Sequence, residues 1–225
     1  MSEPAFAVKV RFDICRPGDV TEVIALLAEV FSSDDPPAVA AGITPAEFAA
    51  LVELYRDRAG TQGMTMIARC ERTGALIGAL LAEDSAAPFP EGVDRLSRKF
   101  DPIFDILSQL DAEYRGGRIL PAGESLHLFL LGVSRAYARK GVAQRLVQEC
   151  MANGARYGYA RAVTEATNVV SQHVFRKLGF KDRVRRSYQH HRYGNRAVFS
   201  SIVEHGGPVL LDRLLARLPG SSDAG

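Results

Sequence analysis

Residues 126–143 read Leu126-His127-Leu128-Phe129-Leu130-Leu131-Gly132-Val133, then Ser134-Arg135-Ala136-Tyr137-Ala138, then Arg139-Lys140-Gly141-Val142-Ala143. The first eight are almost continuously apolar, which suits a central strand buried on both faces better than a helix. A period of two along such a strand puts His127, Phe129, Leu131 and Val133 on one side. Beyond the turn, Val142, Leu146, Val147, Cys150 and Met151 recur at helical spacing. Peptide N–H groups at a strand-to-helix turn converge on a small volume, and unpaired first-turn donors together with the helix dipole favour a pyrophosphate there. Arg139 and Lys140 add positive charge, while Gly141 lets the backbone approach an anion that a side chain would obstruct. A purely geometric role is the commoner use of such a glycine. The spacing matches neither G-x-x-x-x-G-K-[S/T] nor G-x-G-x-x-G.

Working outward, Ala160–Thr164 reads as a further strand, and Asn168–Leu178 as a helix ended by Gly179. Strand, helix, strand, helix, strand in that order predicts a largely parallel α/β layer in this half. Upstream, Phe6–Phe12 alternates as a first strand, and a helix opens at Asp19 with Glu22 as a reciprocal cap and runs to about Phe31. Thr44, Pro45 and Glu47 open a second helix extending to about Arg58. Met64–Cys70 and Ala75–Ala82 form a hairpin across Glu71-Arg72-Thr73-Gly74. Asp101-Pro102 begins a helix whose Ile103, Ile106, Leu107 and Leu110 share a face, within a helical insertion near 93–115. Downstream, Lys181–Tyr193 and Arg196–Val203 are expected to be closing strands, and Val209–Leu218 a C-terminal helix. The expected fold is α/β, a mixed sheet of about seven strands with helices on both faces, in a single domain over 1–225 with flexible ends.

Composition narrows the functional classes. The 225 residues carry 28 Lys+Arg against 26 Asp+Glu, a formal charge of +2, with 47% hydrophobic and 24% charged residues. Such a chain is globular and far from a supercharged nucleic-acid binder. Cys15, Cys70 and Cys150 are odd in number and have no C-x-x-C spacing, so neither a disulfide framework nor a thiolate metal site is expected. The N-terminus lacks a basic stretch feeding an apolar run, and no segment reaches eighteen uninterrupted apolar residues. A cytoplasmic protein without membrane or metal is expected, as monomer or homodimer.

The segment Val133–Ala143 resembles the acetyl-CoA motif of the GNAT superfamily of N-acetyltransferases, Q/R-x-x-G-x-G/A. Gly141 and Ala143 match its second and third key positions, and Ala138 stands at the first, where the family has glutamine or arginine. A second resemblance is Thr164–Phe180, which ends in the family's K-L-G-F signature at Lys177-Leu178-Gly179-Phe180. The likeness spans about residues 6–204 and is nearest in pattern to the arylalkylamine branch. It implies the acyl-CoA N-acyltransferase fold, acetyl-CoA as cosubstrate and a small primary amine as acceptor. Carried over position by position, acetyl-CoA would be held by Leu131, Gly132, Val133, Ala138, Arg139, Lys140, Gly141, Val142 and Ala143, with Asn168, Ser171 and Phe175 along the pantetheine arm.

The resemblance also names catalytic candidates. Phe175 stands where many members have a tyrosine that protonates the leaving thiolate, and Ser171, one turn earlier, is the substitute in the arylalkylamine branch. His127 matches a histidine of the vertebrate-type proton path. Asp34-Asp35-Pro36-Pro37 resembles the insect-type Asp-Glu-Pro-Leu segment and makes Asp35 a candidate base. Glu165 is placed to orient an amine or a water. Each has a plainer reading as a core histidine, a locally bonded serine or a solvated turn. The basic run Lys181–Arg192 is read as a solvated face rather than a nucleic-acid site. A noncatalytic acyl-CoA sensor is the alternative.

Overall fold

The computed structural model describes residues 9–216. The expected flexible ends, and Phe6–Val8 of the first strand, lie outside the described residues. Among them run β1 (Val10–Ile14), α1 (Val20–Asp34), α2 (Pro36–Ala40), α3 (Pro45–Glu53), α4 (Arg56–Thr61), β2 (Met66–Cys70) and β3 (Leu76–Asp84). They continue through α5 (Asp101–Arg115), β4 (Ser125–Val133), α6 (Val142–Arg156), β5 (Arg161–Ala166), α7 (Val169–Lys177), β6 (Lys181–Arg185) and β7 (Val209–Leu214). The seven strands form one mixed sheet in the order β1-β2-β3-β4-β5-β7-β6, with β4 in the middle. Helices cover both faces. Val23 and Leu27 of α1, Phe48 and Leu51 of α3 and Phe100, Ile103 and Ile106 at α5 pack on one face, and Leu146, Val147 and Cys150 of α6 on the other. No helix among the described residues is long and apolar enough to cross a membrane.

Local chemistry explains several boundaries. Thr44 Oγ1 accepts from Glu47 N at 3.3 Å and Glu47 Oε2 accepts from Thr44 N at 2.9 Å, the reciprocal cap expected at α3. The cap expected from Asp19 and Glu22 does not form. Both carboxylates instead receive the Arg69 guanidinium at 2.7 Å, which ties α1 to β2. The helix expected over 44–58 breaks after Glu53, and α4 continues it as a separate turn.

The C-terminal third departs most from expectation. Val209–Leu218 was expected as a helix, but Val209–Leu214 is β7, while 217–218 lie outside the described residues. Gly206-Gly207-Pro208 is a poor helix opening, and Val209, Leu210 and Leu211 are all buried because β7 is sandwiched antiparallel between β5 and β6. A short continuous apolar run bounded by turn residues is strand-like for that reason. The insertion of β7 also keeps β6 from pairing with β5, so the β4–β5 pair is the one parallel pairing in the sheet. The strand expected over Lys181–Tyr193 ends at Arg185, and Arg196–Val203 is loop leading into a 3-10 segment, Ser200–His205. Here the large side chains Tyr188, Phe199 and Ile202 are buried in the α1-face core rather than alternating between two faces.

Candidate active site

A β-bulge in the central strand shapes the site. Leu81 of β3 pairs with Leu130 and Ala82 with Leu128, leaving Phe129 as the extra residue. An unpaired residue reverses the side-chain alternation beyond it. His127, Phe129 and Leu130 therefore face α1, while Leu131 and Val133 join Leu126 and Leu128 on the α6 face. The expected single face from His127 to Val133 is thus split. Gly132 faces α1, where an added Cβ would stand 2.7 Å from Leu27 Cδ2, so helix packing accounts for this glycine.

On its other edge β4 pairs with β5 only through Ser125↔Arg161, Leu126↔Ala162 and His127↔Val163. Thr164 Oγ1 then donates to the Leu128 carbonyl at 2.9 Å, and the strands diverge. The resulting cleft is lined by Leu128–Leu131 on one side, by Thr164–Asn168, Ser171 and Phe175 on the other, and by Asp34, Asp35, Phe31, Phe48, Phe100 and Phe104 at its inner end. Divergence leaves peptide groups along one edge of β4 without a strand partner, which adds hydrogen-bonding capacity to a slot that already holds Asp35, Glu165 and Ser171.

The turn expected to hold a pyrophosphate sits at the head of β4. Ser134–Tyr137 make a 3-10 turn, Arg139 has φ 60° and Gly141 φ 80°, and α6 starts at Val142. An added Cβ at Gly141 would meet no atom within 4 Å, so the left-handed backbone rather than crowding calls for glycine there. Arg139 is the one non-glycine residue with positive φ among the described residues. Such a conformation in a bulky side chain is a strained feature typical of ligand-gripping turns. Lys140 Nζ donates to the Ala136 carbonyl at 3.0 Å and lies over the Tyr137 ring. Arg135 pairs with Asp34, bracing the turn against the end of α1. The site therefore has a helix N-terminus, backbone set for close approach and an adjoining slot, which together fit an acyl-CoA.

A family model, Acetyltransferase (GNAT) family, matches residues 27–180. The chain belongs to that family. Solved structures with the same fold include the C-terminal condensation domain of Ebony in complex with beta-alanyl-dopamine, at TM-score 0.83 and 15% identity, covering 92% of this chain and 99% of that one. Arylalkylamine N-acetyltransferase 2 from Aedes aegypti superposes at TM-score 0.77 with 18% identity, covering 92% and 100%. Drosophila melanogaster polyamine N-acetyltransferase superposes at TM-score 0.72 with 19% identity over the same shares. At these identities the likeness is one of fold.

Within this GNAT chain, Asp35 is buried as the N-cap of α2. Its Oδ2 accepts from Ala38 N at 3.2 Å and its Oδ1 from Thr167 Oγ1 at 2.6 Å. Burial pushes its carboxyl up to about 6, against the lowering effect of those two donors. His127 Nε2 lies 2.7 Å from Glu165 Oε2. Burial alone would depress the imidazole, but the Glu165 charge outweighs it and raises His127, while Glu165 is held below its ordinary range despite burial because of His127. Glu165 lines the cleft and also a second cavity beyond it, into which His127 faces.

Ser171 Oγ donates to the Asn168 carbonyl at 3.0 Å, and Asn168 Oδ1 caps α7 by accepting from Ser171 N at 2.9 Å. Phe175 is buried edge-on against Phe180, 5.1 Å between centroids, with its ring at the cleft wall. The structure thus brings Asp35, Asn168, Ser171, Phe175 and Leu131 to one cleft, with His127 one residue behind it through Glu165. Gly132, Val133 and the turn residues Ala138–Ala143 do not line it; the turn follows the C-terminal end of β4. The pairing of His127 with Glu165 and of Asp35 with Thr167 was not visible in sequence, since neither pair has a local spacing. Among the described residues no group of three or more His, Cys, Asp or Glu is placed to hold a metal ion.

Proposed function

We propose that the chain transfers an acetyl group from acetyl-CoA directly to a primary amine, with arylalkylamines as the leading acceptor class. The observation that carries this reading is a cleft, opened by the β4–β5 divergence, that holds the buried carboxylate of Asp35 and runs along β4 as far as Leu131, on the strand that leads into the Ser134–Gly141 turn. The thioester supplies the activated acyl carbon; every other requirement falls to side chains and peptide groups of the chain.

An alkylammonium titrates near the lysine value of about 10, so a proton must leave before nitrogen can attack. Asp35, with its carboxyl at about 6, is ionised at neutral pH and a stronger base than an ordinary aspartate. Thr167 fixes its orientation. Peptide donors on the freed edge of β4 stabilise the oxyanion as the C–N bond forms. When the C–S bond breaks, the ammonium has lost two protons in all: one goes to the departing sulfur through the Ser171 hydroxyl, and one leaves to solvent through Asp35 or the Glu165–His127 pair. Asn168 holds the pantetheine arm. Phe31, Phe48, Phe100 and Phe104, in successive contact at 5.0, 5.9 and 5.6 Å between ring centroids, form an aromatic wall suited to an aryl group. The protein acts in the cytoplasm, without nucleic acid or a metal, as monomer or homodimer.

Calorimetric titration with acetyl-CoA, followed by thiol release across arylalkylamines, polyamines and peptide N-termini, tests the proposal. Acetyl-CoA binding with amine-dependent thiol release is expected. Phe175 and Ala138 favour a second reading, a noncatalytic acyl-CoA-binding protein, and binding without release on any amine would establish it.

A further inference from the structure

We propose that Tyr188 is a positioning residue for Asp35, acting on it through Thr167. This deepens the amine-acetyltransferase reading and rests on it, since Asp35 is the base of that reaction. Tyr188 belongs to the excursion 186–208 between β6 and β7 and does not itself line the cleft. Its hydroxyl donates to the Thr167 carbonyl at 2.6 Å. The Thr167 hydroxyl in turn donates to Asp35 Oδ1 at 2.6 Å. Two short bonds, one to the peptide and one from the side chain of the same threonine, connect the phenol to the carboxylate.

The setting of Tyr188 separates the work of its ring from that of its hydroxyl. The side chain is fully buried, with its ring tilted against Phe199 at 5.2 Å between centroids. Phenylalanine would fill that space equally well, so the hydroxyl is accounted for by its partner rather than by packing. Burial, with the Asp35 charge adding to it, holds the phenol well above its ordinary value of 10. The group therefore keeps its proton and stays a donor at every working pH.

Thr167 is the residue that needs holding. It lies between the end of β5 and Asn168, the cap of α7, and belongs to neither element. The preceding carbonyl, of Ala166, accepts from Gln172 Nε2 at 3.3 Å, and the same amide nitrogen reaches the Gly207 carbonyl at 2.9 Å. Buried side chains thus anchor two successive carbonyls just where β5 leaves β4, and both tie that point to the 186–208 excursion. With its peptide fixed, Thr167 is left with its hydroxyl aimed at Asp35. Charge also reaches Asp35 from His205, at the end of the 3-10 segment, while neighbouring Asp34 is paired with Arg135.

Tyr188→Phe removes the hydroxyl but keeps the ring, and it keeps the backbone bond from Tyr188 N–H to the Gly206 carbonyl that holds His205 in place. Freeing Thr167 weakens the donor that most opposes burial, so the Asp35 carboxyl is expected to titrate above about 6. Carboxyl NMR titration reads this without any substrate. In the same variant kcat should fall about tenfold with KM within about twofold, and the acidic limb of kcat/KM should move up with the carboxyl. Thr167→Val should act in the same direction, and adding Tyr188→Phe to it should change neither readout further, because the two residues act in series. A tyrosine that only packs would lower the melting temperature and leave the Asp35 titration where it was. That result, or additive effects in the double variant, would overturn the proposal. Wild-type protein that releases no thiol with any amine would overturn the parent reading instead, and the carboxyl titration would still decide this one.

Discussion

Thr167 donates its hydroxyl to Asp35 across 132 residues of sequence, at 2.6 Å, and so joins the start of α2 to the loop between β5 and α7. This contact fixes a buried carboxylate at the inner end of the cleft, where its elevated proton affinity makes it a usable base. The same burial is a burden on the fold. A group whose folded pKa is raised favours folding when protonated and opposes it when ionised. For Asp35 that contribution weakens as pH rises from 3.8 through about 6.

Asp35→Asn is therefore expected to separate stability from activity. At pH 8 it should raise unfolding stability by on the order of 1–3 kcal/mol, because no buried charge need be held, and at pH 4 the difference should shrink toward zero. Activity should fall about 10²–10⁴-fold with loss of the acidic limb near pH 6. Urea melts at both pH values and a pH–rate profile of kcat/KM check both halves. An intact acidic limb in the variant would remove Asp35 from the mechanism.

Glu165→Gln is expected to release His127. With the neighbouring charge gone, burial dominates and the imidazole should titrate below its ordinary value of 6.5 instead of above it. The raised histidine stabilises the fold fully below 6.5 and less as pH rises through its folded value. The depressed Glu165 stabilises it above 4.5 and less as pH falls through its own. The variant should accordingly lose most stability between about pH 4.5 and 6.5. NMR titration of the His127 ring, with thermal melts across that range, measures both effects.

How much of this was legible beforehand depended on range. The Thr44–Glu47 cap, the helix expected from Asn168 and the strand-to-helix turn at Gly141 are local patterns whose partners lie within a few residues, and each formed, the helix as Val169–Lys177 with Asn168 as its cap. The bulge at Phe129 was not legible, because it is defined by pairing with Leu81 and Ala82 nearly fifty residues upstream. It moved Leu131 and Val133 off the face of His127. Val209–Leu214 failed for a related reason, since a short apolar run reads as helix or strand until its neighbours are known. The Glu165–His127 pair required β4 and β5 in register, and its members were each named in sequence without the contact between them.

Ser171→Ala is expected to lower kcat about 10–100-fold while leaving acetyl-CoA affinity within about twofold, because in the proposed mechanism the hydroxyl passes a proton to the departing sulfur, whereas the Asn168 cap of α7 uses only the Ser171 backbone N–H. Phe175→Tyr should not restore the rate. Its ring is buried against Phe180, and an added hydroxyl at that position costs about 1–3 kcal/mol of stability through overpacking and desolvation. Single-turnover thiol release with calorimetry on both variants decides the matter, and an unchanged kcat in Ser171→Ala would leave the thiolate to solvent.

Arg139→Gly and Gly141→Ala probe the turn from opposite directions. Arg139 occupies left-handed backbone at φ 60°, so glycine there should stabilise the fold by up to about 1 kcal/mol. The lost cation should still weaken acetyl-CoA binding, most at low salt, where an exposed charge acts with least screening. Gly141→Ala carries no steric clash, since its Cβ would meet nothing within 4 Å, yet φ 80° penalises any side chain by about 1 kcal/mol. If the turn holds a diphosphate through its peptide donors, the rotation needed to relieve that strain should weaken acetyl-CoA about tenfold or more, at every salt concentration. Calorimetry at 50 and 500 mM salt distinguishes the two: a salt-dependent loss for Arg139→Gly, a salt-independent one for Gly141→Ala. Unchanged affinity in Gly141→Ala would mean that the glycine serves only the geometry of the strand-to-helix connection.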